Sequence, residues 1–157
     1  MNAQPAISGR TRLAAVIGSP VQHSLSPALH NAAFTALGLD WVYVALPVPE
    51  GQADTALDAM RLFGIGGLSV TMPHKEQVAA SVDRLDPAAA ALRSVNTVVP
   101  SPDGDLVGHS TDGAGFVASL AAAGVAVTGM RVCLLGAGGA ARVACRRQRL
   151  CRAHAGA

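Results

Sequence analysis

The chain has 157 residues, enough for one domain of ordinary size or for one domain and part of a second. Half of the residues are hydrophobic and 14% are charged, which excludes a disordered chain, and aromatic residues make up only 3%. The net charge of +2 combines two unlike parts. Residues 1–141 hold seven cations and ten acids, a net of −3, whereas residues 142–157 hold five arginines and no acid.

The same features bear on location and partners. Residues 1–12 contain no apolar run that would make a secretory signal, and the sequence has no apolar span of 18 residues. The three cysteines, Cys133, Cys145 and Cys151, form no CxxC pair, which favours a reducing cytoplasm. Cys145, Cys151 and His154 lack zinc-finger spacing, so we predict no metal site. Five arginines without aromatics or a known module are weak evidence for nucleic acid, and we predict neither a nucleic-acid nor a membrane partner.

The first half of the chain reads as strands that alternate with helices. We predict strands over 13–17, 41–46 and 65–70, separated by helices over 26–37 and 53–63. Ser26 and Pro27 suit the N-cap and first turn of a helix, and Gly38 suits its end.

The second half continues the alternation. We predict a short helix over 75–80, a helix from Asp86-Pro87 to residue 92, strands over 95–99 and 106–108 around a turn at 102–105, a helix that Thr111 or Asp112 caps and Gly124 ends, and a last strand over 132–135. Such alternation indicates an α/β fold, a mostly parallel sheet covered on both faces.

Lys75 is the only lysine in the sequence, and every other cation is an arginine. Lysine can release its proton when its surroundings favour it, whereas arginine stays charged. Lys75 follows the buried strand 65–70, and the carboxyl end of such a strand is where α/β enzymes keep acid–base groups. The alternative is a solvated lysine at a helix N-terminus.

Four polar residues stand at similar places. Ser24 and Ser26 follow the first strand and could hold a carboxylate, or they are a loop residue and a helix N-cap. Asp112 could share a proton with Lys75, or it caps a helix. Asn96 could bind a ligand, or it satisfies buried backbone.

A glycine loop follows the last predicted strand. Its small residues and a helix N-terminus would let the backbone approach a pyrophosphate; they are Gly136, Ala137, Gly138, Gly139, Ala140 and Ala141. A structural turn between strand and helix looks similar. One βαβ unit takes roughly 30 residues or more. The 28 residues from Met130 onward leave no room for a second strand with a ribose-binding acid, so we expect an incomplete Rossmann-type nucleotide domain.

Taken together, these motifs resemble the shikimate dehydrogenase family. The resemblance covers about residues 12–142 and is carried by the segments 18–20, 23–27, 69–75, 95–97, 110–113 and 136–142 in this order. It implies a three-layer α/β/α substrate-binding domain and the NADP-dependent reversible reduction of 3-dehydroshikimate to shikimate, in the pathway to chorismate and the aromatic amino acids.

The resemblance also implies roles for single residues. Lys75 and Asp112 would form the catalytic pair, Ser24 and Ser26 would hold the substrate carboxylate, and Thr71 and Asn96 would bind ring hydroxyls. The glycine loop would bind NADP. We divide the chain into a shikimate-binding catalytic domain at 1–111, a connecting helix at 112–124 and the beginning of an NADP-binding domain at 125–157.

The sequence departs from the family in two ways. Ser69 and Ser110 stand where members often have asparagine. Residues 143–157 lack the helix and 2′-phosphate loop of the family, as a truncated or frameshifted gene would, so we expect this chain to be inactive alone. An NAD-dependent quinate/shikimate dehydrogenase and a non-catalytic shikimate-binding module stay open as alternatives. The oligomeric state, monomer or homodimer, is not fixed by the sequence.

Overall fold

A computed structural model of the protein describes residues 6–126. Within these residues the chain forms six strands and five helices. In chain order they are β1 Arg12–Gly18, α1 Ser26–Leu37, β2 Trp41–Pro47, α2 Ala53–Leu62, β3 Leu68–Val70, α3 Lys75–Ser81, β4 Arg84–Leu85, α4 Pro87–Leu92, β5 Thr97–Pro100, β6 Leu106–His109 and α5 Asp112–Ala122. The predicted last strand at 132–135, the glycine loop at 136–141, the arginine-rich tail and the three cysteines lie outside the described residues.

The strands form one sheet in the order β2-β1-β3-β5-β6-β4. β1 is parallel to both of its neighbours, β2 and β3, and β4 is parallel to β6. β5 runs antiparallel to β6, because a five-residue turn joins the two directly. β5 is also antiparallel to β3, through a long-range pairing. The predicted α/β fold with a mostly parallel sheet is confirmed, and β5 makes the sheet mixed.

Apolar side chains cover both faces of the sheet. β1 is buried from Ala14 to Gly18, as a strand between two layers must be. On one face Ala15 and Ile17 join the larger core with residues of α2, α3 and α4. On the other face Ala14 and Val16 pack with Val21, Tyr43 and Phe34 of α1. This is the three-layer arrangement that the family resemblance implied.

Several predicted helix ends are confirmed. Gly38 ends α1 with a φ of 64°, a left-handed conformation that glycine adopts without a steric penalty. The carboxylate of Asp86 caps α4 by accepting from the Ala89 N–H at 2.6 Å. Gly124, with a φ of 75°, follows the end of α5.

Other local predictions were wrong. Ser26 is the first helical residue rather than the N-cap of α1; Leu25 occupies the cap position without a side-chain bond. By contrast, one of the two caps predicted for α5 is at its expected place, since Thr111 occupies the N-cap position, although its side chain makes no capping bond. The predicted strand at 65–70 is a strand only from Leu68 to Val70, although residues 65–67 still run beside β1 through the bond from Ala15 N to Gly67 O. The two-residue edge strand β4 was not predicted.

Residues 6–126 contain neither a membrane-spanning helix nor a cluster of metal ligands. No helix there is long and apolar enough to cross a bilayer. No group of three or more His, Cys, Asp or Glu side chains in that part of the chain is arranged to hold a metal ion.

Candidate active site

A cleft of about 410 Å³ opens where β1, β3 and β6 end and β5 begins. All six residues that we predicted to contact a substrate line it: Ser24, Ser26, Thr71, Lys75, Asn96 and Asp112. They come from four separate segments of the chain, 23–27, 69–75, 95–97 and 110–113, which the sheet brings to one edge. A cleft at the carboxyl ends of parallel strands is the usual ligand site of an α/β sheet.

Lys75 and Asp112 form an ion pair in this cleft. Lys75 Nζ lies 2.7 Å from Asp112 Oδ2, and the two side chains are 24% and 38% exposed. Each residue is the first of its helix, α3 for Lys75 and α5 for Asp112. The backbone of Lys75 is fixed as well, since its carbonyl accepts from the Val95 N–H at 3.0 Å. The structure thus brings together the two residues that the family resemblance assigns to the catalytic pair.

Asn96 stands between the pair and the sheet. Its Nδ2 donates to Asp112 Oδ1 at 2.6 Å and to Thr111 Oγ1 at 2.8 Å, while its Oδ1 accepts from the Thr111 N–H at 3.0 Å. Its backbone bridges two strand ends, through Val70 N to Asn96 O and Asn96 N to His109 O. The side chain of Asn96 therefore organises the start of α5 and the carboxylate of Asp112.

Ser24 and Ser26 lie together at the entry to α1. Ser24 Oγ accepts from the Ser26 N–H at 3.3 Å, and Ser24 N donates to Val21 O at 3.0 Å, so a turn holds both residues against the cleft. Both are half-buried. Since the Ser26 hydroxyl does not cap α1, it remains available to a ligand.

Thr71 joins the ends of β1 and β3. Its N–H donates to the carbonyl of Ile17 at 3.0 Å. The carbonyl of the next residue, Met72, accepts from the N–H of Ser19 at 3.0 Å. A Cβ at Gly18 would overlap the Thr71 methyl group, which explains a glycine at this position. The Thr71 hydroxyl is in this way held in the wall of the cleft.

The structure adds residues that we did not predict as part of the site. Ser69, His30 and Thr111 line the cleft, and Tyr43 O–H donates to Ser69 Oγ at 2.6 Å. Burial raises the pKa of Tyr43, and the hydrogen bond to Ser69 opposes the rise. The alternation of side chains along β3 could have predicted Ser69, because Leu68 and Val70 are buried on one face of the sheet and Ser69 lies on the other. Helical spacing held the signal for His30, four residues after Ser26.

The geometry defines an α/β protein with an acid–base pair in a cleft of hydroxyl and amide groups. An ammonium that touches a carboxylate can donate and recover a proton, and the surrounding donors suit a small polyhydroxylated ligand.

The comparisons with known proteins agree with this class. The family model for the shikimate dehydrogenase substrate binding domain matches residues 16–98, and the chain belongs to this family. It is 51% identical over 137 residues to a shikimate dehydrogenase (NADP+) from Rubrobacter xylanophilus, covering 87% of this chain and 48% of that protein. It is 48% identical to the corresponding enzyme of Geobacter metallireducens, covering 88% and 48%. The chain spans about half the length of the curated relatives it matches.

Solved structures show the same likeness. Shikimate 5-dehydrogenase from Listeria monocytogenes, in complex with shikimate and NAD, is 40% identical with a TM-score of 0.84, covering 93% of this chain and 50% of that one. The enzyme from Thermus thermophilus, in complex with NADP(H) and shikimate, is 38% identical with a TM-score of 0.81, covering 88% and 52%.

Proposed function

We propose that this chain binds shikimate and 3-dehydroshikimate in the cleft, as the substrate-binding part of an NADP-dependent shikimate dehydrogenase of aromatic amino-acid biosynthesis. The observation that carries the proposal is the 2.7 Å ion pair of Lys75 and Asp112 inside a cleft lined by hydroxyl and amide groups. The curated relatives named above are NADP-dependent shikimate dehydrogenases, which supports the same reaction.

The reduction of a ketone puts a hydride on carbon and a proton on oxygen. Lys75 stabilises the charge that develops on the oxygen and delivers the proton from Nζ. Asp112 accepts hydrogen bonds on both oxygens, from Lys75 on Oδ2 and from Asn96 on Oδ1, so its carboxylate is held in one orientation. In the reverse direction the same pair removes the proton from the alcohol.

The remaining residues of the cleft bind different parts of the ligand, some the carboxylate and others the ring hydroxyls. Ser24 and Ser26 supply hydroxyl donors for the carboxylate, on the α1 side of the cleft. Thr71 and Asn96 stand on the side of the catalytic pair and bind ring hydroxyls. Hydrogen bonds to the ring hydroxyls are each worth about 0.5–1.5 kcal/mol and those to the carboxylate about 1.5–3 kcal/mol, and these few contacts must offset the cost of association, so we expect shikimate to bind this part of the protein weakly.

The hydride of the reaction comes from NADPH. The residues that we predict to hold it, the glycine loop at 136–141, lie outside the described part of the chain, and their role stays a proposal. The division into a catalytic domain at 1–111, a connecting helix at 112–124 and the beginning of an NADP-binding domain at 125–157 is proposed in the same sense; α5 agrees with the middle segment. The cytoplasmic location and the oligomeric state stay predictions.

A ligand titration tests the proposal. We expect shikimate to shift the backbone amide resonances of Ser24, Ser26, Thr71 and Asn96 in heteronuclear NMR spectra, and to leave those of the 101–105 turn unchanged. The Asn96→Ala and Ser26→Ala variants should bind more weakly, and Asp103→Asn, in the exposed turn, should bind like the parent. Resonance shifts that map to another face of the sheet would disprove the site.

Two alternatives to an NADP-dependent enzyme stay open. The Listeria structure contains NAD with shikimate, which favours an NAD-dependent quinate/shikimate dehydrogenase as the second candidate. A non-catalytic shikimate-binding module is a third. Titration of NADPH and NADH into a shikimate-saturated form of the protein with a complete nucleotide-binding half separates them: we expect a further change with NADPH alone, a change with NADH favours the second candidate, and no change with either favours the third.

A further inference from the structure

His30 lies in the wall of the cleft, and three contacts hold its ring. Its Nδ1–H donates to the carbonyl of Ser26 at 2.9 Å. The ring stacks on Tyr43, with centroids 4.2 Å apart and 11° between the planes, and Phe34 packs against it edge-on at 6.3 Å. Because Nδ1 is bound to the helix backbone, Nε2 is the ring nitrogen left for the cleft.

The charge balance of the cleft gives this nitrogen a role. Among the described residues that line it, Lys75 is the only lysine or arginine and Asp112 the only carboxylate, and the two form an ion pair at 2.7 Å. A ligand carboxylate therefore meets no uncompensated positive charge there. Histidine is the side chain that gains a proton between pH 5 and 8, and the lining contains two, His23 and His30.

We propose that His30 is a further substrate-binding residue, which takes up a proton at Nε2 when the ligand carboxylate binds and donates that N–H to it. This inference rests on the proposed function, because it needs a carboxylic acid as ligand. Without the added proton, the lone pair on Nε2 would face the negative oxygen. With it, the bond is charge-assisted and roughly twice as strong as a neutral one.

The position of His30 supports the carboxylate end of the ligand as its target. It lies one turn after Ser26 on α1, the side of the cleft where the serine hydroxyls stand. The elements packed on its ring bring no competing charge: Phe34 is apolar, and burial raises the pKa of Tyr43, which keeps its phenol neutral. The other titratable groups of the lining are His23 and the Lys75–Asp112 pair.

Calorimetric titration of shikimate into the 157-residue protein tests this. In phosphate and in Tris at pH 7.5, two buffers of different ionisation enthalpy, we expect a net uptake of protons on binding.

His30→Asn keeps an amide donor for the Ser26 carbonyl but loses Nε2. This variant should abolish the proton uptake and weaken shikimate binding about 10-fold or more. His30→Gln places an amide near the Nε2 position and should restore part of the affinity without the uptake. His23→Asn, the matched control, should behave like the parent.

The carboxamide of shikimic acid isolates the charge. The parent should bind this neutral ligand without proton uptake, and His30→Asn should lose less than about twofold in its affinity, since no charge-assisted bond is involved. Binding of shikimate by the parent without proton uptake, uptake that survives in His30→Asn, or uptake lost in His23→Asn overturns the inference and leaves the proposed function intact. A parent that does not bind shikimate contradicts the proposed function itself.

Discussion

Asn96 and Asp112 share a 2.6 Å hydrogen bond, from the side-chain amide to the carboxylate oxygen that Lys75 does not touch. The second amide hydrogen of Asn96 is bound to Thr111 Oγ1. Asn96 thereby holds one oxygen of the carboxylate that we propose for the catalytic pair. A substitution at Asn96 therefore changes the geometry of Asp112 together with any contact that Asn96 makes to a ligand.

The first prediction concerns this unit. Asn96→Ala should raise the Kd for shikimate about 10-fold or more, because Asp112 loses one of its two partners and the cleft loses a polar wall group. Asp112→Ala should have an effect of similar size, and the double variant should lose less than the sum. Thr111→Val, which removes the acceptor of the second amide hydrogen, serves as the control and should have a smaller effect. Additive losses in a calorimetric double-mutant cycle would contradict the coupling.

The second prediction separates charge from proton transfer at Lys75. It uses this chain joined at residue 124 to the nucleotide-binding half of the Rubrobacter relative, with NADPH oxidation by 3-dehydroshikimate as the measurement. Lys75→Arg keeps the charge but does not release a proton, and Lys75→Met removes both. We expect each to lower kcat roughly 10²-fold or more, with a much smaller change in KM. Near-normal kcat with arginine would show that Lys75 acts through charge alone.

A paired change in Asp112 extends this test. Asp112→Asn should lower kcat as well, and adding it to Lys75→Met should cost little more, because residues that act as a unit give non-additive losses. Arg61→Ala, at a surface ion pair with Asp83 far from the cleft in the fold, is the control for activity and should leave kcat unchanged.

The third prediction compares two glycines. A Cβ at Gly108 would lie 2.7 Å from the Val95 side chain and 3.0 Å from those of Leu85 and Val82, so Gly108→Ala should lower the free energy of unfolding by about 1–3 kcal/mol. Gly115, inside α5, has no atom within 4 Å of such a Cβ, and Gly115→Ala should raise stability by about 0.5–1 kcal/mol. Urea unfolding curves measure both. Equal effects would show that packing at Gly108 does not decide its identity.

The fourth prediction is a dependence on pH. Burial acts to raise the pKa of Asp86, but the hydrogen bonds from the Ala89 N–H and from His109 outweigh it and leave the pKa below its usual value. A lowered folded-state pKa stabilises the protein above the unfolded value of about 3.9, and the contribution is lost as the pH falls through the folded-state pKa. The stability difference between the parent and Asp86→Asn should therefore be present at pH 5 and shrink below about pH 4. Urea unfolding curves of both proteins at these pH values measure the difference, and a difference that does not change with pH would contradict the prediction.

Local chemistry made much of the fold predictable from the sequence. Gly38 and the Asp86-Pro87 pair mark helix ends through conformational and capping preferences that need no distant partner. The antiparallel direction of β5 depends on long-range strand pairing, and the edge strand β4 has two residues, too few for a periodic pattern. The error at Ser26 has a similar origin, because its backbone N–H is bound to Ser24 Oγ in a turn that propensity alone does not specify.

The candidate site was less predictable from the sequence than the fold. Lys75 stood out by composition, but its meeting with Asp112, 37 positions away, followed from the family resemblance and not from spacing. Ser69 and His30 were missed for another reason. Their place in the cleft depends on Tyr43, which bonds one and stacks on the other from a third element, β2.

The reversed direction of β5 has a practical consequence. Because β5 begins at the cleft and runs away from it, the hairpin that joins it to β6 turns at the opposite end of these strands, where the Ser101 N–H donates to the Asp105 carbonyl. The loop at 102–104 is exposed and shares no residue with the cleft. A fluorophore or an affinity handle inserted in this loop would leave the ligand contacts untouched, which makes it the attachment point for immobilising the protein with its cleft open.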